Sequence, residues 1–149
     1  SKLGEGSTFY FTARFGIATK PLPLEAPVLN LEGMRVLVVD DNATNRRILT
    51  LQLRNWGMQS RDTESPLEAM SWIKRGDPFD LAILDMHMPE MDGLTLLKKI
   101  KETDSDIAIV MMTAYGAIRD AVEAMKLGAV DYLGKPLRFW RLRASARRA

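Results

Sequence analysis

The sequence predicts an α/β domain, a doubly wound five-stranded parallel sheet, carrying an N-terminal strand and linker. Three observations support this. Short apolar runs alternate with helical patterns from residue 34 onward, and such alternation needs crossover connections and hence a parallel sheet. The runs at 34–39, 81–84 and 107–112 are almost continuously apolar, as strands buried on both faces are. Finally, Asp40, Asp41, Asp85, Thr113 and Lys135 all follow such runs, at the strand edge where open α/β sheets bind ligands.

Taken in order, residues 1–16 contain Gly4 and Gly6, then Phe9, Phe11, Ala13 and Phe15 alternating with Tyr10, Thr12 and Arg14. This is a period-2 strand with one apolar face. It has no local partner, and an unpaired apolar strand invites association. Residues 17–33 hold Pro21, Pro23 and Pro27 with little periodicity and read as a linker.

The first strand, 34–39, ends at Asp40-Asp41-Asn42. Ile48, Leu49, Leu51, Leu53 and Trp56 mark a helix that stops at Gly57. Residues 58–61 form a short second strand. Ser65-Pro66-Leu67-Glu68 reads as a capping box with proline in the first turn, opening a helix with Leu67, Met70 and Ile73 that ends near Gly76. The third strand, 81–84, ends at Asp85. Asp92 caps a helix bearing Leu94, Leu97 and Ile100. The fourth strand, 107–112, ends at Thr113, and Ile118, Ala121, Val122 and Met125 mark the helix that stops at Gly128. Tyr132-Leu133 is a short fifth strand before Lys135-Pro136. Phe139, Trp140 and Leu142 begin a fifth helix, but residues 143–149 show no clear apolar face, so it is expected to be short or frayed.

The 149 residues suffice for one domain with a core plus an appendage. Apolar residues make up 46% and charged ones 27%, which fits a globular domain. No run approaches membrane-spanning length and no signal peptide is visible, so no membrane contact by this chain is expected and the cytoplasm is the default. There is no cysteine, which excludes disulfides, thiolate metal sites and a thiol nucleophile. The net charge of +2 hides an asymmetry: residues 34–136 carry 13 Lys and Arg against 16 Asp and Glu, whereas residues 137–149 carry five arginines and no acid. The basic tail makes the pI, so a nucleic-acid partner is not expected.

The strand-end residues would share one crevice. Crowded carboxylates raise one another's pKa, and a divalent cation relieves the repulsion. An all-oxygen donor set suits Mg²⁺, while a lysine and a hydroxyl complete a phosphate pocket. That chemistry is phosphoryl transfer to a carboxylate. Each residue also has an ordinary structural explanation: Asp40 or Asp41 could cap the first helix, Asp85 the turn before Pro89, Thr113 could close a turn, and Lys135 could be a solvated strand end. Independent caps need not all fall at one edge of one sheet, so the joint reading is the stronger.

Val38-Val-Asp-Asp-Asn42, Leu84-Asp-Met-His-Met-Pro-Glu-Met-Asp-Gly93, Met112-Thr-Ala114 and Lys135-Pro136 resemble the receiver domain of two-component response regulators, over residues 34–138 and in the family's order. The resemblance implies a flavodoxin-like strand order 2-1-3-4-5 and Asp85 as phosphoacceptor. It implies Asp40, Asp41, Asp85 and the main-chain carbonyl of His87 as the Mg²⁺ site, with Thr113 and Lys135 on the phosphoryl group. Thr113 and Tyr132 would form the conformational switch. His87, the only histidine, reads as a solvent-facing loop residue. A histidine kinase or histidine-phosphotransfer domain would be the phosphodonor. Residues 4–15 resemble the closing strands of a histidine-kinase ATP-binding domain, so the chain looks like the C-terminal part of a hybrid sensor kinase, without the kinase core. Residues 113–116 and 121–129 are more similar to receivers of nitrogen-regulation-type transcription activators. Homodimerisation is expected through the fifth-helix face or the N-terminal strand.

The leading expectation is thus a phosphoaccepting switch that catalyses only its own phosphorylation and dephosphorylation. A receiver fold used purely for protein association is the alternative, disfavoured by the intact constellation. A haloacid-dehalogenase-like phosphatase would want a second aspartate where His87 stands.

Overall fold

The computed structural model describes residues 31–114 and 118–148, and Thr12. The expected strand at 9–15, most of the linker, and Tyr115 and Gly116 lie outside the described residues. Five strands, β1 (Arg35–Val39), β2 (Gln59–Thr63), β3 (Leu81–Asp85), β4 (Ala108–Thr113) and β5 (Asp131–Gly134), alternate with five helices, α1 (Ala43–Asn55), α2 (Pro66–Lys74), α3 (Gly93–Thr103), α4 (Ile118–Lys126) and α5 (Phe139–Ala146). All strand pairs are parallel, in the order β2-β1-β3-β4-β5. The sheet is doubly wound, as expected.

Alternation along the central strands sorts the core into two layers. Leu37, Val39, Ala82, Leu84, Ile109 and Met111 face α2, α3 and α4. Val36, Val38, Leu81, Ile83, Val110 and Met112 face α1 and α5. Val36, Val38 and Ile83 are wholly excluded from solvent, and each such side chain contributes roughly 1.5–3 kcal/mol of burial free energy. Leu31, assigned to the linker from sequence, is buried in the second layer, and the Gly33 amide donates to the Gly57 carbonyl at 2.8 Å.

Not every apolar residue that marks a helix is buried. On α1 Leu49 and Leu53 are buried while Ile48 and Leu51 are half exposed; on α2 Leu67 is exposed. On α4 Ile118, Val122 and Met125 are exposed, and the buried residue is the small Ala124. Helices meet a sheet along a narrow stripe, and apolar residues beside it remain in water. α5 is short, at eight residues, as expected, but it does present an inner face. Leu142 and Ala146 are buried in the core, Ser145 is buried between them, and Phe139 packs edge-on to Trp56. Small residues supply most of this face, so its period is weak in a window full of arginines.

The edge strand β2 reads Gln59-Ser-Arg-Asp-Thr63, with only Thr63 buried. Arg61 lies 3.5 Å over the Trp72 ring and pairs with Asp77 at 2.8 Å. The expected capping box at α2 closes on one side only. Ser65 Oγ accepts from the Glu68 amide at 3.4 Å, but Glu68 Oε2 accepts from the Thr63 hydroxyl at 2.5 Å.

Candidate functional site

The carboxyl ends of β1, β3 and β5 meet, and their polar residues meet with them. The first helix is capped by Asn42, whose Oδ1 accepts from the amides of Thr44 at 2.9 Å and Asn45 at 3.2 Å. This cap releases Asp40 and Asp41 from the ordinary role that the sequence left open for them. One oxygen from each of Asp40, Asp41 and Asp85 lies within 4.8 Å of the others. Asp40 and Asp85 are buried and Asp41 is exposed.

Lys135 joins the two buried acids. Its Nζ lies 2.8 Å from Asp40 Oδ2 and 2.8 Å from Asp85 Oδ1. Asp40 also accepts from the Asn42 amide at 2.8 Å and from Asn45 Nδ2 at 3.2 and 3.3 Å. Burial pushes the Asp85 carboxyl above the ordinary carboxylate pKa; the Lys135 hydrogen bond and charge oppose this, and the Asp40 charge adds to it. For Lys135, burial pulls the ammonium down, but the hydrogen bonds and charges of Asp40 and Asp85 outweigh it. The result is a pKa above that of a free lysine.

The frame is tight. Gly93 opens α3, its amide donating to the Met86 carbonyl at 2.9 Å, so close that a Cβ there would strike the Asp85 carbonyl oxygen and Met111 Cε. Asp92 caps the same helix, accepting from the Thr95 amide at 2.8 Å. Thr113 is fully buried at the end of β4, and its carbonyl accepts from the Lys135 amide at 2.7 Å. The Lys135–Pro136 peptide is cis. Tyr132 packs partly buried against the layer under α2–α4, with its hydroxyl enclosed. The His87 side chain is exposed, as the sequence suggested.

The structure therefore brings Asp40, Asp41, Asp85 and Lys135 together, sets Thr113 beside Lys135 through the main chain, and keeps Tyr132 in the layer below. Sequence reasoning missed Asn45 and Arg46. Arg46 Nη1 donates to the carbonyls of Asp40 at 2.8 Å and Asp41 at 3.1 Å. The available signal was their place in the first turn after the acidic pair, where a helix points side chains back over its own N-terminus.

A three-carboxylate, one-lysine pocket at the carboxyl edge of a 2-1-3-4-5 parallel sheet defines a phosphoaccepting signalling domain. The chain belongs to the response regulator receiver domain family, whose model matches residues 36–147. It is 42% identical over 118 residues to the transcriptional regulatory protein ZraR of Escherichia coli K12, which covers 79% of this chain and 26% of that protein. The chain thus spans about a quarter of that relative's length. Among solved structures, it is similar to a response regulator from Burkholderia pseudomallei with a phosphorylated aspartic acid, a calcium ion and citrate. That match has 29% identity and a TM-score of 0.71, covering 76% of this chain and 66% of that one. The beryllofluoride-activated NtrC4 receiver domain dimer gives 32% identity and a TM-score of 0.72, covering 76% and 93%.

Proposed function

We propose that Asp85 is the phosphoacceptor of this receiver and that Lys135 and Thr113 engage the incoming phosphoryl group. The observation behind this is the Lys135 ammonium bridging Asp40 and Asp85 at 2.8 Å each. An oxygen of Asp85 attacks the phosphorus of a donor phosphohistidine; the phosphorus–nitrogen bond breaks, and the imidazole leaves and recovers its proton from solvent. Lys135 shifts from carboxylate to phosphoryl oxygen, and the Thr113 hydroxyl offers a hydrogen bond. Hydrolysis of the acyl phosphate by water resets the domain.

The donor set is all oxygen and convergent, which fits Mg²⁺. Asp40, Asp41, Asp85 and the main-chain carbonyl of His87 would hold it. When bound, it neutralises charge on the phosphoryl oxygens. Tyr132 would follow Thr113 as the switch.

The donor is a histidine kinase or histidine-phosphotransfer domain. An apolar groove of about 270 Å³ beside Lys135, lined by Ile48, Leu49, Pro136, Leu137 and Phe139 among others, offers it a surface. The NtrC4 receiver is a dimer, which supports homodimerisation here, through the α5 face or residues 9–15. Among the described residues no helix is long and apolar enough to cross a membrane; the cytoplasmic reading rests on the receiver family. Relatives named as transcriptional regulators bring nucleic acid within range of the parent protein's targets. The hybrid-kinase origin rests on residues 4–15 and the linker. Reading the coding sequence upstream of Ser1 tests it: a kinase ATP-binding domain there supports it, and any other neighbour discards it.

The functional test is acetyl phosphate with Mg²⁺, read by intact mass. A phosphate adduct on wild type, dependent on Mg²⁺ and absent from Asp85→Asn, is expected. No adduct on folded wild type, with beryllofluoride also failing to bind, leaves an association module.

A further inference from the structure

Arg46 lies in the first turn of α1, outside the set of acids and lysine, yet its guanidinium turns back beneath the acidic loop. Nη1 reaches the carbonyls of Asp40 and Asp41 at 2.8 and 3.1 Å. Nε lies 3.3 Å from Asp62 Oδ2, and Nη2 lies 3.3 Å from Glu64 Oε2. The side chain is only 14% exposed. Those two carbonyls belong to the peptide planes on either side of the Asp41 Cα, so a single nitrogen holds both.

This grip matters because the two acids are held differently. The Asp40 carboxylate is fixed by Lys135, Asn45 and the Asn42 amide. Among the described residues, no hydrogen bond is made to the Asp41 carboxylate, which is exposed. The direction of that carboxylate is therefore set by its own backbone. Asp62 and Glu64, at the end of β2 and just after it, keep the fork from swinging away. A guanidinium can serve carbonyls with one nitrogen and carboxylates with the others; an ammonium cannot divide itself in that way.

We propose that Arg46 is a positioning residue for the cation site, locking the peptide planes around Asp41 so that its carboxylate stays in reach of Asp85. This rests on the metal-site reading above. Outer groups that orient ligands typically carry about 10- to 100-fold in metal affinity. Charge alone predicts the opposite sign, because a cation beside the site repels a divalent ion.

The test is Mn²⁺ affinity of the full chain, read by electron paramagnetic resonance of the free ion, for wild type, Arg46→Met, Arg46→Lys and Asp41→Asn. Folding is checked by circular dichroism without metal. Affinity is expected to fall about tenfold or more in Arg46→Met and by a smaller factor in Arg46→Lys. Affinity equal to or tighter than wild type in Arg46→Met overturns the proposal. If Arg46→Met does not fold, Arg46→Lys decides: wild-type affinity there overturns it, because charge is kept and only the fork is lost. Unchanged affinity in Asp41→Asn overturns the underlying site reading instead, and with it the proposal.

Discussion

Lys135 Nζ donates to Asp40 Oδ2 at 2.8 Å across 95 residues of chain, and Asp40 is fully buried. This contact ties the end of β5 to the end of β1 over the intervening edges of β3 and β4. It compensates a charge that could not otherwise be kept out of water.

Lys135→Met is therefore expected to cost stability as well as function. It leaves Asp40 and Asp85 facing each other without a cation. Because Lys135 is itself partly exposed, the loss is put at about 2 kcal/mol, below the range for a fully buried pair. Urea unfolding without metal measures it; a change under about 0.5 kcal/mol would show the bridge to be energetically idle.

The Asp85 pKa makes stability depend on pH. The native state holds that proton more tightly than the unfolded chain, because burial disfavours the charge. The contribution is complete below the unfolded pKa and is lost as pH rises through the folded one. Asp85→Asn removes the charged form altogether, so its advantage over wild type in metal-free melts should be larger at about pH 7 than at about pH 4. Lys135, raised above a free lysine, keeps its contribution through that window and loses it only in alkali. An Asp85→Asn advantage that shrinks with rising pH would contradict this account.

Gly93→Ala forces a methyl group toward the Asp85 carbonyl oxygen and Met111 Cε. Overpacking of this kind costs about 1–3 kcal/mol. The nearer neighbour is the backbone of Asp85, so on the proposed role of that residue the rate of adduct formation with acetyl phosphate should fall along with the melting midpoint. A normal rate would mean that the loop can move aside.

Leu142→Ala tests whether α5 belongs to the core. A wholly buried leucine truncated to alanine typically costs about 2–5 kcal/mol, and Leu142 is wholly buried. A frayed helix would lose almost nothing. Ser145→Ala, which removes the 2.6 Å hydrogen bond to Asp131, should cost a smaller amount, about 1–2 kcal/mol.

Much of this was legible in the sequence because the signals were redundant. β1, β3 and β4 are apolar runs with polar ends, and Asp92 and Ser65 cap helices where expected. The strand-end logic placed Asp40, Asp41, Asp85 and Lys135 together. What failed to show is what period alone does not encode. The direction in which α4 faces depends on how closely Ala124 lets it approach the sheet. The inward face of α5 is built partly from Ser145 and Ala146, which look neutral in a hydropathy pattern. Arg46 acts on carbonyl groups, and main-chain acceptors leave no mark in a sequence.

The polar edge of the sheet has a further consequence. β2 offers an incoming strand five polar residues, three of them exposed and Ser60 partly so, and its arginine is already engaged by Trp72 and Asp77. A neighbouring molecule that tried to prolong the ladder there would have to strip charged groups of their hydration while finding no apolar side chains to reward it. Crowding of this domain should therefore not produce fibrils that grow by strand addition at β2.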